Sequence, residues 1–174
     1  NETRKIFIYL PDDYETSNKQ YPVLYAFDGH NIFLDAHATY GKAIHIQQHI
    51  EKLGIDMIVV GQECSHVGNN RLKEYAPYSF YDPEYGSFEG QGEETMDFFV
   101  HELKPYIDDH YRTKKTRKNT FIGGSSCGGL MALYAAYAYS NVYSKAIVIS
   151  PYVLESMDAI LKDIHQSHIR KNTS

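Results

Sequence analysis

Residues 123–129 read GGSSCGG and contain the pattern G-x-S-x-G, with Ser126 at its centre. An apolar run precedes this pattern and an alanine-rich run of helical character follows it. In such a setting a serine hydroxyl stands on a sharp strand-to-helix turn, and Gly124 and Gly128 let the backbone bend that tightly. The pattern predicts Ser126 as a nucleophile. One alternative is a turn that only connects a strand to a helix. Another is a turn that binds phosphate, but the G-x-G-x-x-G spacing and the P-loop lysine typical of such turns are both absent.

An acyl-transfer site also needs N–H donors for the oxyanion that forms on the substrate. Cys127 could compete with Ser126 as nucleophile, but its thiol is expected to point away from the tip of the turn and to pack as a small apolar group, while its backbone N–H serves as one donor. A second donor is expected after the apolar run 22–27, where the backbone N–H of His30 follows Asp28 and Gly29. An Asp-Gly pair taken alone is a common turn.

The acid and histidine of a catalytic triad normally follow the serine in this arrangement. Asp158 and His165 occur in that order, but they lie seven residues apart on one predicted helix. That spacing corresponds to about 10 Å along the helix axis, too far for a hydrogen bond between them. His165 and His168 are therefore expected to be structural or surface residues. The sequence predicts no complete triad within these 174 residues.

Two groups of side chains could be taken for metal ligands. His45 and His49 have a spacing that would put them on one helix face. In zinc protease helices the first histidine is followed directly by a glutamate, whereas His45 is not. Glu63, Cys64 and His66 are close in sequence, but no second cluster completes a tetrahedral site. We expect no metal and no cofactor.

The composition limits the class of protein. A chain of 174 residues is long enough for one full hydrophobic core, and its net charge of −5 gives no electrostatic reason for a nucleic acid or an anionic membrane as partner. The apolar runs are far shorter than the roughly 18 residues that a membrane helix needs. The two cysteines, Cys64 and Cys127, are compatible with a reducing compartment, so we expect a cytoplasmic protein.

Five apolar or β-branched runs bounded by turn residues are typical of strands, at residues 5–10, 22–27, 57–60, 119–122 and 145–149. Helical spacing of apolar residues occurs around residues 43–53, 96–107 and 157–164. This alternation predicts a mostly parallel sheet covered on both faces. Residues 63–92 are expected to form an irregular loop, which should converge with the turn after residue 27 and with Ser126 at the carboxyl ends of the strands.

Together these segments resemble the esterase family of the α/β-hydrolase superfamily that includes esterase D-like, enterochelin esterase-like and mycolyltransferase-like members. The resemblance covers nearly the whole chain and lies in residues 21–33 (YPVLYAFDGHNIF), 71–77 (RLKEYAP), 102–108 with 111–113 (ELKPYID and YRT) and 124–129 (GSSCGG). It implies a three-layer α/β-hydrolase sandwich in which Ser126 is the nucleophile and the amides of His30 and Cys127 form the oxyanion hole. Cys127 stands where family members commonly have methionine, a change that leaves the backbone donor in place. Arg71 and Glu74 resemble the family's Arg-x-x-Glu pair, either as a salt bridge or as a substrate contact.

The resemblance also implies that the triad acid and histidine follow two further strands. We therefore expect residues 1–174 to form one α/β-hydrolase domain that is incomplete at its carboxyl side, with an open sheet edge at Lys145–Ile149 that could contact another chain. The function implied is hydrolysis of a small carboxylic ester through an acyl-enzyme on Ser126, with little or no activity in the 174 residues alone. An acyltransferase using the same acyl-enzyme, and a non-catalytic fragment or binding module of the same fold, are the alternatives.

Overall fold

The computed structural model describes residues 3–153 and 156–167. The strands are β1 (Ile6–Tyr9), β2 (Val23–Ala26), β3 (Ile58–Gln62), β4 (Phe80–Asp82), β5 (Gly86–Phe88), β6 (Thr120–Ser125) and β7 (Lys145–Ile149). The helices are α1 (Ile46–Lys52), α2 (Asn70–Glu74), α3 (Gly92–Asp97), α4 (Lys104–His110), α5 (Cys127–Ala138) and α6 (Met157–Gln166). A π-helical segment, Phe98–Leu103, joins α3 to α4. None of the helices in the described ranges is long and apolar enough to cross a bilayer.

Five strands form the central sheet in the order β1-β3-β2-β6-β7. β2, β3, β6 and β7 run parallel to their neighbours, and β1 pairs antiparallel with β3 at one edge. Every residue of β2 and β3 is buried, as expected for apolar strands covered on both faces. The predicted mostly parallel α/β fold is confirmed, and all five predicted strands belong to this sheet.

The two faces of the sheet build separate parts of the core. Side chains of alternate residues in β2 point to opposite faces: Tyr25 packs in a cluster with Met96, Phe99 and Met131, whereas Leu24 packs in a cluster with Ile50 of α1. The sheet is thus the middle layer of three, with α1 on one side and α3, α4 and α5 on the other.

Residues 63–92 are more ordered than predicted. They contain α2 and the antiparallel hairpin β4-β5, in which Phe80 and Phe88 stack with their ring centroids 5.0 Å apart. The expectation of an irregular loop was wrong, because elements of three to five residues are too short to show a hydrophobic period.

The predicted helix face shared by His45 and His49 is also absent. His45 precedes α1 in a left-handed conformation (φ 54°), and its Nε2 lies 2.9 Å from Asp35 Oδ1. Only His49 belongs to the helix, so the two imidazoles cannot act as an i, i+4 pair.

Within the described residues, β7 pairs only with β6 and forms one edge of the sheet. Ile147 and Ile149 are each 47% exposed along this edge. Exposed apolar edge strands are templates for pairing with another chain. We propose that a second chain pairs along β7.

The 174-residue chain should therefore self-associate, with a mean molar mass in light scattering that rises with protein concentration. Ile147→Lys should reduce this rise, because a lysine on the edge opposes strand pairing. Leu53→Lys is the matched control, since Leu53 is 71% exposed but lies at the end of α1. A monomer at every concentration would argue against the edge contact.

Candidate active site

Ser126 lies between the last residue of β6 and the first residue of α5. Its backbone has φ 57° and ψ −121°, a combination that an L-residue rarely adopts. The residue is exposed. Strained conformations of this kind persist only where the surrounding structure fixes them, and they cluster at functional sites. Ser126 thus occupies the strained strand-to-helix turn that the sequence pattern predicts.

The glycines of the pattern are required by contacts within the turn. A Cβ on Gly124 would lie 2.3 Å from the carbonyl oxygen of Gly128, and a Cβ on Gly128 would lie 2.9 Å from Cβ of Phe27. A Cβ on Gly129 would lie 2.7 Å from the carbonyl oxygen of Ile149. Only glycine lets β6, α5 and their neighbours approach this closely.

The segment that begins at the end of β7 holds the turn from the other side. The Ser126 N–H donates to the carbonyl of Ile149 at 3.0 Å, and the Tyr152 N–H donates to the carbonyl of Ser126 at 3.0 Å. The strained backbone is therefore fixed by hydrogen bonds as well as by packing. Across residues 3–153 and 156–167 the Ser126 hydroxyl has no hydrogen-bond partner, so no described histidine is bonded to it.

Two backbone donors lie at the same edge of the sheet as Ser126. His30 belongs to a short 3₁₀ turn (Gly29–Asn31) after β2, and Cys127 is the first residue of α5. β2 and β6 are paired neighbours, and the Phe27 N–H donates to the carbonyl of Gly123 at 3.0 Å. In the described part of the chain neither the His30 nor the Cys127 N–H has an acceptor. Both groups are therefore available to a bound anion.

Asp28 connects this turn to α2. Its carboxylate accepts two hydrogen bonds from Arg71, from Nε at 2.8 Å and from Nη2 at 2.7 Å, although the two residues are 43 positions apart. Asp28 is 6% exposed and adopts a left-handed conformation (φ 56°). Burial alone would lower the pKa of Arg71, but the hydrogen bonds and charge of Asp28 outweigh burial and raise that pKa.

A salt bridge between Arg71 and Glu74, one of the two alternatives that the sequence leaves open, does not form. Glu74 instead pairs with Arg4 at 3.1 Å and accepts a hydrogen bond from the Ser65 N–H at 2.5 Å. Arg71 thus contacts the turn after β2, whereas Glu74 contacts Arg4 before β1 and Ser65 after β3.

The side chain of Cys127 is buried in the core, as expected for a packed thiol. It lines a small cavity of about 10 Å³ beneath the turn, together with Tyr75 of the segment after α2 and Leu130 of α5. The turn after β2, α2 and the start of α5 thus meet at the carboxyl ends of the strands, as the sequence predicts.

The histidines on the carboxyl side of Ser126 do not complete a triad among the described residues. Asp158 and His165 both lie on α6, and His165 is exposed with its Nδ1 2.6 Å from the carbonyl oxygen of Leu161. His168 lies outside the described residues.

A cluster that sequence spacing did not reveal lies after β2 and β3. His30 is 2% exposed, and its ring contacts that of His66 edge-on, with the centroids 4.8 Å apart. Burial lowers the pKa of His30 below its ordinary value. Cys64 is buried close by, and its burial raises the pKa of the thiol.

The chain belongs to the family described as Putative esterase, whose model matches residues 1–170. The chain is 30% identical to protein YjcH of Bacillus subtilis in an alignment of 175 positions that covers the whole of this chain and 65% of YjcH. It is also 32% identical to Esterase Rv1288 of Mycobacterium tuberculosis over 139 residues, which are 79% of this chain and 27% of that protein.

A solved structure with the same fold is that of an IroE-like serine hydrolase from Shewanella oneidensis. It superposes with a TM-score of 0.75 at 24% identity, covering 95% of this chain and 51% of that one. The fold is therefore that of α/β-hydrolase-type esterases. The chain spans 65% or less of the length of each of these three proteins.

Proposed function

We propose that the protein is a serine hydrolase that acts on carboxylic esters through an acyl-enzyme on Ser126. Membership of an esterase family supports ester hydrolysis as the activity, and the observation that carries the role of Ser126 is its strained backbone at the turn between β6 and α5. A serine held there presents its hydroxyl to a bound ester without any rearrangement of the backbone.

In the proposed reaction the Ser126 oxygen attacks the ester carbonyl carbon and its proton passes to a base. The negative charge moves to the former carbonyl oxygen, where the N–H groups of His30 and Cys127 stabilise it. Collapse of this intermediate expels the alkoxide, which takes the proton from the base and leaves as the alcohol. Water then attacks the acyl-enzyme by the same route, releasing the acid and restoring Ser126.

The base is proposed to come from residues outside this chain. This rests on two facts: no described side chain hydrogen-bonds to the Ser126 hydroxyl, and the chain covers only part of its relatives. The same acyl-enzyme would serve an acyltransferase if an alcohol replaced water as acceptor. Because no base bonds to Ser126 within the described residues, an alternative is that these 174 residues alone act only in binding.

For Arg71 and Glu74 we propose supporting roles. Two of the three guanidinium nitrogens of Arg71 already bond to Asp28, which holds the turn that carries the His30 N–H. Glu74 is occupied by Arg4 and Ser65. Neither residue is then needed for direct contact with the ester.

The 174-residue chain alone should hydrolyse p-nitrophenyl butyrate only slightly faster than buffer. Without a base, the oxyanion hole and substrate binding are expected to provide at most about 10³- to 10⁴-fold acceleration over water. A chain of the length of its YjcH-like relatives should be far more active, as measured by release of p-nitrophenol. Full activity in the short chain, lost on replacement of one of its histidines, would show that the base lies within it.

A further inference from the structure

The fold gathers three nitrogen and sulfur ligands that the ester chemistry does not use. They are the side chains of His30, Cys64 and His66, and one ligand atom of each lies within 4.8 Å of the other two. Sequence spacing groups Cys64 and His66 with Glu63 but provides no second cluster to complete a tetrahedral site. The third partner, His30, comes from a different strand end.

The sheet topology explains this meeting. β2 and β3 are parallel neighbours with Ala26 opposite Gly61, so the segments that follow them leave the sheet side by side. Gly29 lies against the backbone of Gly61, where a Cβ would come within 2.3 Å of the carbonyl carbon and oxygen. This contact sets His30, the next residue, beside the segment that contains Cys64 and His66.

Within the described residues, both imidazoles form their hydrogen bonds through Nε2, and Nδ1 of each forms none. Nε2 of His30 lies 3.1 Å from Thr39 Oγ1, and Nε2 of His66 lies 3.3 Å from Glu63 Oε1. Nδ1 of His30 is buried, and within the described part of the chain it has no hydrogen-bond partner. Buried polar atoms are almost always paired, so an unpaired imidazole nitrogen beside a thiol and a second imidazole is suited to bind a metal ion.

We propose that His30, Cys64 and His66 bind a zinc ion. Tetrahedral coordination with Zn–N bonds of about 2.0–2.1 Å and a Zn–S bond of about 2.3 Å puts the ligand atoms about 3.3–3.6 Å apart. The present separations reach up to 4.8 Å, so closing the site needs the ligand atoms to approach by at most about 1.5 Å. The thiol of Cys64 gives its proton to solvent on binding, and water takes the fourth position.

The donor set selects the kind of metal. Imidazole and thiolate suit zinc and similar transition metals, whereas calcium and magnesium need oxygen ligands. Glu63 and Thr39 would act as outer-shell partners that hold the two imidazoles through Nε2, as is usual around ligating histidines. The ion would join the turn after β2 to the segment after β3. This proposal does not depend on ester hydrolysis.

The test is metal binding by the purified chain after treatment with EDTA. Zn²⁺ titrated against a chromophoric chelator should bind one ion per chain, and Co²⁺ should give a thiolate charge-transfer band in the near ultraviolet. At 100 times the Kd, Zn²⁺ should raise the Tm by about 5–10 °C. Absence of one-to-one binding would overturn the proposal.

Variants identify the ligands. His66→Gln removes an exposed ligand with little risk to folding, and it should weaken zinc binding more than about 100-fold, while Glu63→Gln should weaken it about 10-fold. Cys64→Ser should abolish the cobalt band, and Cys127→Ser should keep it. His101→Gln is the matched control, because His101 is 72% exposed and lies in the π-helical segment. Zinc binding that is equal in His66→Gln and His101→Gln would refute the site.

Discussion

Ser126→Ala should lower kcat for p-nitrophenyl butyrate by about 10⁶-fold in a chain long enough to carry the base. The reason is that the acyl-enzyme needs the Ser126 oxygen, and no neighbouring group stands on the same strained turn. Binding of the ester should change little, because the variant removes only one oxygen atom. Release of p-nitrophenol at saturating substrate measures the effect.

Ser125→Ala is the matched control for this experiment. Ser125 is the last residue of β6, immediately before the turn, and has regular strand geometry. Its replacement should leave most of the activity intact. If instead Ser125→Ala or Cys127→Ala abolished turnover and Ser126→Ala did not, the nucleophile would have been misidentified.

Arg71→Leu should reduce the free energy of unfolding by about 3–5 kcal/mol, because it leaves the carboxylate of Asp28 buried without its partner. The large effect follows from the geometry: Asp28 is 6% exposed and receives two hydrogen bonds from one guanidinium group. Urea denaturation measures the change.

Two further variants separate the buried charge from the loss of packing. Adding Asp28→Asn to Arg71→Leu should recover part of the stability, since asparagine carries no charge and tolerates the left-handed backbone at this position. Lys115→Met is the exposed control; it removes a 3.4 Å pair with Asp109 and should cost less than about 1 kcal/mol. A loss of similar size in Arg71→Leu and Lys115→Met would contradict a structural role for the buried pair.

Local features of the fold could be predicted from the sequence because they depend on neighbouring residues. The apolar run at Lys145–Ile149 predicts β7 at its observed bounds, and the glycines around Ser126 predict the turn on which it lies. In both cases a few neighbouring residues are enough for the prediction, because an apolar run favours a buried strand and glycines allow a tight bend.

Contacts between distant segments could not be predicted in the same way. The sequence leaves open whether Arg71 and Glu74 form a salt bridge or contact the substrate, whereas the fold pairs Arg71 with Asp28, 43 positions away. Likewise, the sequence groups Cys64 and His66 with Glu63 and shows no further ligand, and His30 reaches them only because β2 and β3 are neighbours. Such pairs depend on which strands lie side by side, and local residue patterns do not carry that information.

Labelling with a fluorophosphonate distinguishes Ser126 from the other candidate nucleophiles. The Ser126 oxygen should form a bond to phosphorus as fluoride leaves, so mass spectrometry of the digested protein should find one adduct, on Ser126, in a chain that hydrolyses esters. The 174-residue chain should react slowly, since the base is proposed to lie outside it. An adduct on Ser125 or Cys127, or no adduct in a protein that hydrolyses p-nitrophenyl butyrate, would contradict the assignment of Ser126 as the nucleophile.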